Sequence, residues 1–424
     1  MQCRLGNMTS LYIAAAVLVL GAGTAGAQLD LEPPVTIQDA GADLWVPGYS
    51  VPSFAHWDAD GLKDLIVGEG GGGYINGMVR IYRNVGTEEV PAFAGYVYAM
   101  ADGQTLVWPA SGCMGLFPRV VNWDGDGRKD LLIGASDGAV RIYLNVGTDE
   151  DPQFDAGAFV QAGLSSPVDI DVGSRATPIW VDWNLDGRND LLCGALDGRL
   201  RLYLDTAVMG DPQLDSAIAI LEGGAHLVVP GGRSSPGLAD FDGDGLRDLL
   251  VGNTAGEILL YTNEGSNSEA VFTGYTQVFS NGEAIDLPGD PRSRPSVCDW
   301  SNCGRLDVWV GSADGLVYFY EGPENISPVP MPYQTLPMVA YPNPFNPRVN
   351  IEFVLAEPQQ VELEIFSLAG RRVATLAGGN LPAGEQLFTW DGRDNRGGNL
   401  PTGQYIVRLR GSRADERRKI TLLR

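Results

Sequence analysis

Apolar and polar positions follow one order five times along the chain. In each case an aspartate opens a continuous apolar run, a turn such as Ser136-Asp137-Gly138 follows, and an alternating stretch then begins, as in AVRIYLN from Ala139. Related stretches read MVRIYRN, RLRLYLD, EILLYTN and LVYFYEG. Short apolar runs and period-two alternation both predict β-strands. A further extended segment, of the form NVGTDEDPQFDAGAFV from Asn145, follows in the first four units. About four strands per unit, with no helical period, predict an all-β chain.

The units align without gaps as HWDADGLKDLIVG from His56, NWDGDGRKDLLIG from Asn122, DWNLDGRNDLLCG from Asp182, DFDGDGLRDLLVG from Asp240 and DWSNCGRLDVWVG from Asp299. Their last acidic residues, Asp64, Asp130, Asp190, Asp248 and Asp307, are separated by 66, 60, 58 and 59 positions. A proline stands four positions before each unit, at Pro52, Pro118, Pro178, Pro236 and Pro295. Tandem four-stranded units point to a β-propeller, whose radial closure protects the sheet edges. The fifth unit stops at Gly322 and lacks the outer segment, whereas Leu31 to Pro47 resembles it. The N-terminal strand is therefore expected to complete the last blade and close a ring of five.

From Glu321 to Ala340 five prolines suit a stiff extended linker. The strands VNIEFVL, VELEIFSL, QLFTW, QYIVRLR and KITLL follow, separated by Gly and Pro turns, and predict a small β-sandwich. At the other end, Leu11 to Leu20 is an apolar run after Arg4, and Ala25-Gly26-Ala27 has the small residues of a cleavage site. This reads as a secretory signal, too short for the roughly 20 residues of a membrane span. No later segment offers a span. The expected organisation of the 424 residues is a signal peptide at 1–27, the propeller at 28–322, a linker at 323–340 and the sandwich at 341–424.

The net charge of −24 is uneven. From Ala340 onward 12 Lys+Arg stand against 9 Asp+Glu, a balance of +3, leaving 17 against 44, or −27, for the remainder. So acidic a surface repels nucleic acid and anionic lipid and favours bound cations. Only two histidines exist, His56 and His226, and the spacing of Cys113, Cys193, Cys298 and Cys303 fits no zinc pattern.

The regular carboxylates lie at loop positions 1, 3, 5 and 9. They are Asn122, Asp124, Asp126 and Asp130 in the second unit, Asp182, Asn184, Asp186 and Asp190 in the third, and Asp240, Asp242, Asp244 and Asp248 in the fourth. The first unit offers Asp58, Asp60 and Asp64, with His56 at position 1 supplying only ring nitrogens. Alternate oxygens converging on a tight loop suit Ca2+, which takes six to eight hard oxygen ligands, and four sites are expected. An EF-hand is excluded, because position 12 is apolar or cysteine on a strand, not glutamate. The loops resemble the FG-GAP or VCBS repeat family of calcium-loop propellers over roughly Leu31 to Gly322. In the fifth loop Cys303 replaces an oxygen, and two readings stand: a Cys298–Cys303 disulfide as a clasp, or free thiols. Cys193, where other units have Val67, Ile133 or Val251, is expected in the core, and Trp57, Trp123, Trp183 and Trp300 at position 2 are expected to pack between blades.

YPNPFNP from Tyr341, IFSLAGRRVATL from Ile365, LPAGEQLFTWDGRDNRGG from Leu381 and PTGQYIVRLR from Pro401 resemble the C-terminal sorting domains of the type IX (Por) secretion system, related to the FlgD Ig-like fold. That resemblance implies outer-membrane secretion machinery as a partner and a secreted or outer-surface protein of a Gram-negative-type bacterium. The favoured function is a non-catalytic binding or adhesion module for glycans or surface proteins. The alternative is an extracellular polysaccharide-degrading enzyme with its site in the propeller funnel, which would need two carboxylates about 5 to 9.5 Å apart. Carboxylates outside the loops, such as Glu69, Asp169, Asp171 and Glu222, show no pairing that the sequence establishes. Arg175, Arg233 and Arg292, each three residues before a repeat proline, either line the funnel and hold an anionic ligand or balance nearby aspartates.

Overall fold

The computed structural model describes residues 28–323 and 338–424, apart from positions 59, 110–111, 113, 149–150, 185, 187, 208–210, 288–291, 302, 304, 342, 356–358, 369, 382–383 and 412–414. The expected signal peptide, most of the linker and Cys113 lie outside the described residues. No helix occurs among the described residues. Five antiparallel sheets of four strands follow the five sequence units. In the second unit the strands are Phe117–Val121, Asp130–Gly134, Val140–Tyr143 and Ala158–Phe159, from the innermost outward.

Burial explains the pattern of each strand. The second strand is fully buried along its length in all five sheets, which is why its apolar run is unbroken. The innermost strand carries the repeat proline. It pairs on one side only, so a residue without an N–H costs no ladder bond there. The innermost strands Val51–Ala55, Phe117–Val121, Thr177–Val181, Ser235–Ala239 and Arg294–Cys298 each lie against the next, and the last lies against the first.

Two glycines show how closely the sheets approach. A Cβ on Gly134 would stand 2.2 Å from the Ala176 carbonyl oxygen and 2.4 Å from Pro178 Cδ, in the following sheet. At Gly311 it would stand 2.2 Å from the Ser50 carbonyl oxygen and 2.6 Å from Pro52 Cδ, across the seam between last and first sheets. The start of the chain seals that seam as expected. Val35–Thr36 pairs with Tyr318 and Phe319 and forms the outer strand of the fifth sheet. Just before it, Asp30–Leu31 runs parallel to Phe279–Ser280, and Leu29 and Leu31 are buried between the fourth and fifth units.

The C-terminal part forms a three-stranded sheet of Val339–Tyr341, Val349–Leu355 and Gly384–Trp390, and a four-stranded sheet of Arg372–Leu381, Gln359–Ser367, Gly403–Arg410 and Asp415–Leu422. One core, including Phe345, Ile351, Leu363, Trp390, Val407 and Ile420, joins them. The sequence pattern identifies five of these seven strands and misses Val339–Tyr341 and Arg372–Leu381.

Candidate functional site

The acidic loops leave the ring where the innermost strands end. In every loop the position-9 aspartate is buried and ties the loop down. Its Oδ2 accepts from the backbone N–H of position 2 (Trp57, Trp123, Trp183, Phe241 and Trp300, at 2.7–3.0 Å). Its Oδ1 accepts from the N–H just beyond the third strand (Asn84, Asn145, Asp205, Asn263 and Gly322, at 2.7–3.0 Å). Burial pushes the carboxyls of Asp130, Asp190, Asp248 and Asp307 up to about 7 and that of Asp64 to about 6, against the pull of these amide bonds. Asp307 makes the same bonds in the loop that lacks the oxygen series, so the recurrence of this aspartate has a structural cause.

The loops differ at positions 1, 3 and 5. In the fourth, Asp240, Asp242 and Asp244 each offer a carboxylate oxygen, all within 4.8 Å of one another. Asp240 also accepts from the N–H of Gly243 and Gly245, at 2.7 and 2.8 Å, which winds the loop tightly round these oxygens. Burial first, and then the Asp244 and Asp240 charges, raise the Asp242 carboxyl above its usual range. In the second and third loops Asp126 and Asp186 form ion pairs with Arg128 and Arg188 at position 7. The second loop also meets the C-terminal sheet, since Lys419 N–H donates to Gly125 at 2.9 Å and the Arg418 guanidinium to Gly127 at 3.1 Å. In the first loop His56 Nδ1 donates to the Leu62 carbonyl at 3.1 Å, engaging the position-7 oxygen.

The fifth loop corrects the clasp reading. Cys298 is a buried free thiol, whereas Cys303 is disulfide-bonded, so no bridge joins the two. Cys298 is the last residue of an innermost strand and faces the core with Trp300 and Trp309, which removes it from reach of the loop. Cys193 is fully buried, and Trp57, Trp183 and Trp300 are buried at position 2. Trp123 stacks on Trp180 of the next unit at 4.5 Å, so these tryptophans serve packing.

At the opposite end of the ring, where the innermost strands begin, Arg175, Arg233 and Arg292 line one cavity together with Arg294. Arg292 donates to the Tyr49 hydroxyl, and the Tyr49 ring centroid lies 4.8 Å from Arg294 Cζ. Sequence reasoning missed Arg294 and Tyr49. The available signal was positional: Tyr49 occupies the place of the three arginines in the first unit. No acidic residue among the described residues lines this cavity. Of the four carboxylates named above, Glu69 pairs with Arg80 at 2.5 Å inside the first sheet, Asp169 accepts from Gln161, and Asp171 accepts from the Gly173 N–H, while the backbone of Glu222 bridges to Phe272.

Known families match three stretches: an FG-GAP-like repeat at residues 122–193, an FG-GAP repeat at 232–266 and a FlgD Ig-like domain at 346–415. The chain carries FG-GAP repeats and a FlgD Ig-like domain. The repeats enclose the second, third and fourth acidic loops, and the ring of sheets that bears them is a propeller. No curated protein matches the chain. Among solved structures it is similar to PorZ of Porphyromonas gingivalis, an essential bacterial surface component of the type-IX secretion system, at 16% identity over 88% of this chain and 51% of that one, TM-score 0.29. It thus spans about half of the PorZ chain. A glycoside hydrolase family 43 arabinoxylan arabinofuranohydrolase from Bacillus subtilis is similar at 11% identity, over 90% and 98% of the two chains, TM-score 0.35. Sqt1 of Saccharomyces cerevisiae is similar at 11%, over 89% and 98%, TM-score 0.26. Among the described residues no helix is long and apolar enough to cross a membrane.

Proposed function

We propose that this chain is a secreted or surface-held five-bladed propeller, stapled by calcium, that binds its ligand without cleaving it. The observation that carries the reading is the cavity at the start of the innermost strands, lined by four arginines. Guanidinium groups stay protonated and bind anions, and they do not serve as the acid and base of glycoside hydrolysis. None of Glu69, Asp169, Asp171 and Glu222 lines that cavity, so none stands there as the acid or base that the alternative of a polysaccharide-degrading enzyme requires. A glycan array run beside a polysaccharide-release assay tests this. Retention without release is expected, and sugar release would overturn the binding role.

Calcium is the ion the acidic loops suit. The donor set is all oxygen, and in the fourth loop Asp240, Asp242 and Asp244 bring three carboxylates together, an arrangement that a hard cation relieves. That loop would bind first. The second and third would bind after Arg128 and Arg188 release their aspartates, and the first, with His56 at position 1, most weakly. Position 9 holds each loop in shape from behind. A site filled to ~100 times its dissociation constant stabilises the fold by ~2.7 kcal/mol. Melting temperature should therefore fall in EDTA, and an unchanged melting curve would refute calcium stapling.

The C-terminal sandwich serves, in this reading, as a sorting domain for type IX secretion. Its support is the FlgD Ig-like match together with the resemblance of the YPNPFNP and PTGQYIVRLR segments to such domains. Deleting residues 341–424 should trap the protein in the periplasm. Normal surface delivery of the shortened chain would remove the sorting role.

A further inference from the structure

Arg175, Arg233 and Arg292 occupy equivalent places in three consecutive units, and each has left-handed backbone, with φ of 61°, 57° and 46°. A non-glycine residue is uncommon there and carries strain, which glycine would remove without loss of the turn. Three arginines nonetheless stand at such a place, and all three side chains line one cavity. Arg294, from the innermost strand of the fifth sheet, joins them in the same cavity and is 5% exposed. Burial first, and then the charges of Arg233, Arg175 and Arg292, push its guanidinium down to about 9. Four arginines thus meet in one cavity of a chain whose net charge is −24.

The other groups around this cavity hold its wall together. Ser234 Oγ donates to the Arg199 carbonyl at 2.7 Å, and Ser293 Oγ to the Glu257 carbonyl at 2.6 Å. Tyr49 steadies two of the arginines, by its hydroxyl for Arg292 and by its ring face for Arg292 and Arg294, with centroid distances of 5.1 and 4.8 Å. Arg292 and Arg294 are therefore set in position before a ligand arrives. Their planar forks match the oxygens of a carboxylate, sulfate or phosphate.

We propose that this arginine cavity binds one oxyanion group carried by an acidic saccharide. The assignment rests on the binding-module reading given above and names its ligand class. An arriving anion offsets the repulsion among the arginines, so occupancy stabilises the ring. The cavity lies at the opposite end of the innermost strands from the acidic loops, which separates its response from that of calcium.

The test uses the full chain without added calcium, because calcium precipitates with phosphate and sulfate and is bound by galacturonate. Melting is followed in galacturonic acid against galactose, and in sodium sulfate and phosphate against sodium chloride of equal ionic strength, with affinities from calorimetry. Variants are the double substitution R233Q/R292Q and, separately, R233G, which suits the left-handed backbone. Galacturonate is expected to raise the wild-type melting temperature while galactose does not, with affinity falling at least about tenfold in both variants, the scale of a lost charge-assisted contact. Sulfate strengthens burial in any protein, so only a shift larger in wild type than in the variants supports the cavity. Equal responses in wild type and variants overturn the proposal. A response to sulfate and phosphate but not to galacturonate overturns the saccharide and leaves a free-anion site. Sugar release with anion binding intact would instead sink the non-catalytic reading alone.

Discussion

Replacing Gly311 with alanine tests whether the ring is sealed where its last sheet meets its first. The added methyl would lie 2.2 Å from the Ser50 carbonyl oxygen and 2.6 Å from Pro52 Cδ, against ordinary contacts of 3.4–4 Å. The two sheets must therefore part by about 1 Å at the end of the ring that holds the arginines, since both obstacles are backbone or ring atoms. Forcing a methyl into such a close contact costs about 1–3 kcal/mol. For a ring of nearly 300 residues the unfolding entropy is about 0.6 kcal/mol per degree, so the melting temperature should fall by about 2–5 °C. Differential scanning calorimetry of the full chain in saturating calcium reads this directly. Gly134→Ala, with near-identical contacts between the second and third sheets, should cost a similar amount. Gly274→Ala is the control, because nothing lies within 4 Å of its Cβ position and its φ is ordinary. Should Gly311→Ala melt like Gly274→Ala while Gly134→Ala falls, the seam is open and the closed ring is wrong.

Asp307 has a folded pKa raised to about 7, so its contribution is fully present below the unfolded value near 4 and is lost as pH rises toward 7. In calcium-free buffer, Asp307→Asn should flatten part of the decline in stability between pH 4 and 7, and an unchanged slope in urea titrations would count against it. Asp242→Asn should weaken calcium binding about tenfold, seen as about 1.4 kcal/mol less stabilisation by calcium at a fixed concentration. An identical calcium response would exclude the fourth loop as a site. Peptide mapping after alkylation of unfolded, unreduced protein should find Cys193 and Cys298 modified and Cys303 protected, and recovery of alkylated Cys303 would contradict its disulfide.

Features that recur were the most legible in the sequence, and the elements missed are among those that occur once. The buried second strands, the prolines of the innermost strands and the outer strand donated by Val35–Thr36 follow from five aligned units. Arg372–Leu381 escaped because Gly378 and Gly379 interrupt its pattern and the unpaired extra residues Val373 and Leu376 break its alternation. Recurrence also has a second cause: the position-9 aspartates, read as metal ligands, each accept from two backbone amides, a structural role that spacing alone does not show. Arg294 has Val51, Phe117, Thr177 and Ser235 as its counterparts, so no period marks it. The fifth loop shows the same limit, since cysteine spacing alone suggested a bridge that the burial of Cys298 prevents.

The outer strand of the fifth sheet is supplied by residues 35–36 but pairs with residues 318–319, roughly 280 positions later. Assembly therefore has a last step that cannot be brought forward. Four sheets can form as the chain lengthens, while the N-terminal segment must wait for its partner strand to be made. Until then the final sheet has an unpaired outer edge, the kind of surface on which a second copy could add its own N-terminal strand. A circular permutant that starts near residue 50 and carries residues 30–49 after Gly322 would turn this closure into a local pairing. It should fold faster than the natural order while reaching the same ring.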